Sequence, residues 1–300
     1  MSKFFPHAAL FSVALIYGAN YTVAKSVLNG GYIPPIPFVL FRVLFGLILF
    51  QLVRVFFIKE KVDRADWGRL FLCGIFGVAM NQLFFFMGLE KTTPIHASLI
   101  MLSTPLAVLI LASIILKEPI TSKKLLGIAL GAAGAALLIS QGSGSAGKNS
   151  YWLGDLMIMI NAVSYGMYLV LVKPLMNKYN PMTIIAWLFL AGSFVVFPAG
   201  IFQVEQINWS SFQIETWVAF AYVLIFTTAA TYALNAYAIK KLNPSIVSVY
   251  IYLQPLIAGM ISLWVGQDTF QILFVIAGLL IFAGVYLVSA PNKVDISRIR

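Results

Sequence analysis

Long apolar stretches separated by short polar breaks run from one end of the 300-residue chain to the other. A helix crosses the hydrocarbon core of a bilayer with roughly 20 predominantly apolar residues. The breaks divide this chain into ten stretches of about that length, at 7–28, 35–57, 67–89, 94–116, 122–140, 152–173, 182–203, 215–239, 245–265 and 270–289. The breaks themselves are short and leave no room for a separate soluble domain.

The pattern between Leu89 and Ser140 returns between Ile239 and Ala290. At one constant offset Pro94 pairs with Pro244, Ser98 with Ser248, Pro105 with Pro255, Leu106 with Leu256 and Gly134 with Gly284. A weaker echo links Tyr17, Gly18 and Lys25 to Tyr165, Gly166 and Lys173. The chain thus reads as two similar halves, 1–145 and 146–300, joined by the flexible polar segment 142–150. An odd number of spans per half makes the second half enter the membrane from the opposite side. The expected fold is an all-α membrane protein of ten transmembrane helices, built as two inverted five-helix repeats. A duplication kept for packing alone is the competing account.

Polar residues inside the apolar stretches follow the helical period. Thr228, Thr231, Tyr232 and Asn235 share one helix face, and Asn161, Ser164, Tyr165 and Tyr168 repeat the spacing. Tyr17 and Asn20 hold the matching places in the first span, while Asn81 and Gln82 pair with Thr231 and Tyr232 across the halves. A polar stripe in lipid must turn inward, either as an interhelical seam or as the wall of a cavity. Stripes in both halves favour one cavity lined by Tyr17, Asn20, Asn81, Gln82, Tyr165, Thr231, Tyr232 and Asn235. Arg42 lies inside the second span, where a charge is costly and faces protein or water. It is placed either to attract a substrate carboxylate or to serve structure by binding helix-end carbonyls. Pro105 and Pro255 each remove a backbone donor and are expected to kink their helices as hinges or gates. His96 falls on the face opposite Ser98 near an outer edge, outside the expected site. Gly127, Gly131 and Gly134 suggest close helix packing, possible within a dimer, so the chain is expected as a monomer or homodimer.

Composition agrees with this pattern. With 61% hydrophobic and only 10% charged residues and a mean hydropathy of +0.92, there is too little polar surface to cover a water-soluble globule. The net charge of +10 sits in loops rather than on one face, which argues against nucleic acid as a partner. With the N-terminus inside, the inner loops collect Lys59, Lys61, Arg64, Arg69, Lys117, Lys123, Lys124, Lys173, Lys178, Lys240 and Lys241. The outer side has little beyond Lys25, Lys91 and Lys148. That asymmetry places both termini in the cytoplasm. The single Cys73 forms no intrachain disulfide, and no metal, cofactor or hydrolytic signature is present, so neither enzyme activity nor a cofactor is expected.

Several short motifs resemble the EamA-type drug/metabolite transporters. They are Tyr17-Gly18, Asn20 and Lys25, then Phe41-Arg42, the prolines of the fourth and ninth spans, Lys117-Glu118, Gly127 and Gly154-Asp155. After the ninth span that family favours Gly-Glu, where this chain has Gly266-Gln267-Asp268. The resemblance implies an inner-membrane permease that moves a small organic metabolite, such as an amino acid, by alternating access and often outward. Its partners would be the small-molecule substrate and the lipid bilayer. A membrane structural or lipid-handling protein, with the stripes as packing seams, is the alternative. No Asp, Glu or His falls in the middle of a span, as a buried proton relay would require, so movement down the substrate's own gradient is expected.

Overall fold

The computed structural model describes residues 4–29, 31–92, 97, 100–141, 152–264 and 272–289. Pro94, His96, Ser98, the segment 142–150 and Gly266-Gln267-Asp268 lie outside the described residues, as does the side chain of Lys25. Among the described residues all regular structure is helical.

The helices are α1 (Phe4–Asn29), α2 (Pro35–Phe57), α3 (Arg64–Lys91), α4 (Thr104–Ile115) and α5 (Ser122–Gln141). They continue as α6 (Trp152–Lys178), α7 (Pro181–Gln206), α8 (Ile214–Lys241), α9 and α10 (Ile272–Ser289). Of these, α9 starts as Pro244–Val249, tightens into a 3-10 turn at Tyr250–Tyr252 and resumes as Leu253–Trp264. By length and composition α2, α3, α6, α7 and α8 are able to cross a membrane, and shorter apolar helices occur in α1, α4, α9 and α10. Bulky apolar side chains such as Phe57, Ile114, Phe194 and Leu279 point outward without protein cover. Helices whose backbone groups bond internally and whose surface is apolar suit lipid as solvent. The chain is a multi-pass membrane protein.

Proline marks the starts of these helices rather than their middles. Pro35, Pro181 and Pro244 occupy first-turn positions, where the missing N–H is not needed. Ahead of Pro181, the Asn180 side chain accepts the Met182 N–H at 2.9 Å. Pro105 and Pro255 behave alike: the chain turns at Leu102 and Ser103 before the helix carrying Pro105, and passes through Tyr250–Tyr252 before the one carrying Pro255. The expected mid-helix kinks are therefore breaks between helical segments, each followed by a proline in the new first turn. Pro174 and Pro198, by contrast, lie inside α6 and α7.

The principal packing pairs exchange when the halves are swapped. α1 packs on α8 and α9, and α6 packs on α3 and α4; α2 meets α7, α5 meets α10, and α4 meets α9. The glycines of α5 are used inside the chain. A Cβ on Gly127 would press on the Gly284 carbonyl, and one on Gly134 would press on the Ala277 carbonyl. These absent side chains let α5 and α10 approach backbone to backbone.

Three polar clusters tie the helix ends predicted to face the cytoplasm. Lys178 Nζ pairs with Asp66 at 2.7 Å and with Asp63 at 2.5 Å, and the Tyr179 hydroxyl donates to Asp66. Lys173 Nζ donates to the carbonyls of Ile239 and Leu242 at 2.6 and 2.8 Å, where a cation is favoured by the C-terminal end of α8. Glu118 Oε2 accepts from Lys124 at 2.9 Å and from Ser245 at 3.1 Å.

Candidate functional site

Two irregular turns sit at equivalent places in the halves. α3 widens into a π-helical turn over Ile75–Met80, and α8 does so over Val223–Ala230. Such turns are uncommon and loosen the regular backbone ladder. Here the carbonyls around them take side-chain donors. The Tyr232 hydroxyl donates to the Gly77 carbonyl at 2.8 Å, and Ser164 Oγ donates to that of Phe76 at 2.7 Å. In the other half Arg42 Nη2 donates to the Thr227 carbonyl at 3.2 Å. Each π-turn is followed at once by the polar pair of its half, Asn81-Gln82 or Thr231-Tyr232.

Arg42, Asn81, Gln82 and Tyr232 border a cavity of about 100 Å³, several times the roughly 10–15 Å³ that one water needs. Seven of the eight residues expected from the sequence line it: Tyr17, Asn20, Asn81, Gln82, Tyr165, Tyr232 and Asn235. Thr231 does not. It is fully buried behind Tyr17, with its Oγ1 3.1 Å from the Tyr17 hydroxyl and donating to the Thr227 carbonyl at 2.7 Å. Pro105 and Pro255 are also absent from the wall.

Arg42 lines the cavity and does not snorkel out. Only 4% of it is exposed; Nε donates to Thr228 Oγ1 at 3.0 Å, and the guanidinium lies 4.9 Å over the Phe86 ring. Threonine hydroxyl, backbone carbonyl and aromatic face together support a charge that lipid would not. No carboxylate lines the cavity among the described residues.

The carboxamides divide into two kinds. Asn161 Nδ2 donates to the Asn81 carbonyl at 2.5 Å, and Gln82 Nε2 donates to the Tyr232 hydroxyl at 3.2 Å. Their oxygens, and the Asn20 oxygen, are buried without a hydrogen-bond partner. Asn161, Gln254, Tyr250, Phe85, Phe86 and Met101 complete much of the wall and were not among the expected site residues. Val247, Tyr250 or Ile251, and Gln254 follow the same i, i+3/i+4, i+7 rule as the other stripes, so that face was readable. The Tyr250 hydroxyl also lies 2.6 Å from His7 Nδ1, which brings the first turn of α1 into contact with a residue of the wall. No cluster of three metal-binding side chains occurs among the described residues.

The sequence profile of the EamA-like transporter family matches residues 5–140 and again residues 152–290. The chain belongs to that family. Its similarity to an "Uncharacterized transporter YyaM" of Bacillus subtilis is 29% identity over 97% of both chains. To a "WAT1-related protein At3g53210" of Arabidopsis thaliana it is 24%, over 94% of this chain and 86% of that one. A solved crystal structure with 18% identity superposes with a TM-score of 0.74, covering 96% of this chain and 98% of the other. At that identity the structural likeness shows the fold alone. For this EamA-like transporter the fold and family together make it a membrane transporter of small molecules, with the bilayer as its surroundings.

Proposed function

We propose that this EamA-like transporter moves a small organic metabolite, such as an amino acid, outward across the inner membrane by alternating access around the cavity between its halves. The observation that carries the reading is that Tyr17, Asn20, Asn81, Gln82, Tyr165, Tyr232 and Asn235, drawn from both halves, line one cavity. A concave site with aromatic walls and a few convergent polar groups suits a small ligand. The exchange of packing partners between halves supports ten spans arranged as two inverted five-helix repeats, 1–145 and 146–300. That architecture places substrate between the repeats and lets them rock around it. The lysines and arginines of the inner loops support cytoplasmic termini. Within this mechanism the breaks before Pro105 and Pro255 act as hinges.

The test uses proteoliposomes and labelled amino acids and nucleosides, comparing wild type with Asn81→Ala and Asn235→Ala. Both carboxamides line the cavity and neither side chain has a hydrogen-bond partner among the described residues, so the alanines remove none of the hydrogen bonds described. Each variant is expected to keep its melting temperature and lose roughly tenfold in apparent substrate affinity, the value of one good polar contact. Unchanged kinetics in both would show that solute does not pass this cavity. Absence of flux for every solute tried would favour the structural or lipid-handling alternative.

A further inference from the structure

The chemistry of the cavity wall is one-sided. Arg42 is the one charged side chain lining it among the described residues. Of the five N–H donors of a guanidinium, two are used, by Thr228 and Thr227, which leaves three without a hydrogen-bond partner among the described residues. Burial makes this unusual, because the residue is 4% exposed and a charge out of water requires partners.

The acceptors are equally unmatched. Asn161 and Gln82 commit their NH₂ groups to the Asn81 carbonyl and the Tyr232 hydroxyl. Those bonds fix which end of each carboxamide remains free. The free ends are oxygens: Asn161 Oδ1 and Gln82 Oε1 are buried without a donor, and so is Asn20 Oδ1. Their residues are 2%, 3% and 5% exposed. An unpaired buried acceptor costs about 1–3 kcal/mol, so three of them beside a part-paired cation form a site that is incomplete when empty.

We propose that the ligand of this cavity is a small organic anion that also carries N–H or O–H donors. The anionic group pairs with the free N–H groups of Arg42, and the donors satisfy the carboxamide oxygens. A cation of the same shape is repelled by Arg42. An anion without donors leaves the oxygens unpaired, and a site built to bond an OH or NH rejects an analogue lacking it. The inference rests on the transport reading only in taking this cavity as the ligand site.

The experiment measures binding to the purified full-length protein in detergent by calorimetry, with four probes on one three-carbon skeleton. Glycerate has charge and donors, propionate has charge alone, glycerol has donors alone, and 3-amino-1,2-propanediol has donors and the opposite charge. Glycerate should bind at least about tenfold more tightly than each of the other three, since one hydrogen bond to a charged group is worth about that much. Serine, run alongside, tests net charge: as a zwitterion it carries a carboxylate and donors with no net charge, so weaker binding than glycerate supports the proposal and tighter binding would overturn the assignment of an anion. Arg42→Gln should bring glycerate down to the level of glycerol, while Arg42→Lys keeps part of the preference. Because Arg42→Gln also disturbs the bonds to Thr227 and Thr228, Asn20→Leu supplies an independent arm. The Asn20 side chain has no hydrogen-bond partner among the described residues, so this variant should fold normally, narrow the gap between glycerate and propionate, and leave the rejection of the cation intact. Propionate, glycerol or 3-amino-1,2-propanediol binding as tightly as glycerate, or failure of glycerate to bind, would overturn the proposal. So would an Asn20→Leu protein with the wild-type ranking. Glycerate that binds without being moved in proteoliposomes would instead sink the transport reading and leave this one standing.

Discussion

Tyr232 shows how one side chain serves both backbone and site. Its hydroxyl donates to the Gly77 carbonyl at 2.8 Å and accepts from Gln82 Nε2 at 3.2 Å, linking the two halves while its ring lines the cavity. Replacing it with phenylalanine keeps the ring but leaves a carbonyl and an amide unpaired in a buried place. The expected loss is about 1–3 kcal/mol, read as a lowered melting temperature in one fixed detergent. Tyr286→Phe, at a position 72% exposed, should melt with the wild type. A Tyr232→Phe protein that also matched wild type would mean that the Gly77 carbonyl has another donor available. Arg42 follows the same logic in the opposite half, satisfying the Thr227 carbonyl of the second π-turn.

Helix contacts are decided by smallness as much as by apolarity. A Cβ built on Gly284 of α10 would lie against the Gly127 carbonyl and the Gly131 backbone of α5, atoms that cannot swing away. Gly284→Val should therefore push the helices apart and destabilise the protein by about 1–3 kcal/mol, the usual range for overpacking. Gly278→Ala, whose new atom would rest 3.6 Å from Leu256 Cδ1 in ordinary contact, should leave the melting temperature unchanged. Loss of stability in both or in neither would remove this account of the seam. The glycine spacing in α5 was legible in the sequence; its partner was not, because spacing names a face and not what the face meets. The polar stripes were legible for a stronger reason: Tyr17, Asn81, Gln82 and Tyr232 recur at related positions in two copies, and lipid forces all of them inward. Thr231 was misplaced by the same rule. In a widened helical turn the period departs from 3.6, and Thr231 follows directly on the π-turn of α8. The π-turn of α8 holds neither the Gly nor the Pro that marks ordinary breaks in a sequence.

Coupling to an ion gradient is a property of the whole molecule, because it requires a titratable group that both faces of the membrane reach in turn. No carboxylate lines the cavity among the described residues, and Asp155, at the start of α6, accepts a hydrogen bond from Thr92 at the helix end. On these grounds movement down the substrate's own gradient is expected. His7 supplies an alternative, since its Nδ1 lies 2.6 Å from the hydroxyl of Tyr250, a residue that lines the cavity. The pair His7 and Tyr250 is a route by which a proton would be exchanged with the site. The deciding measurement imposes a pH difference of about two units across proteoliposomes holding equal substrate on both sides, a driving force of roughly 2.7 kcal/mol per proton. Facilitated movement predicts no net accumulation, and the same initial exchange rate for wild type and His7→Gln. Concentrative uptake that a protonophore abolishes would overturn facilitation. Its loss in both His7→Gln and Tyr250→Phe, with exchange at equal pH retained, would then assign the coupling to that pair.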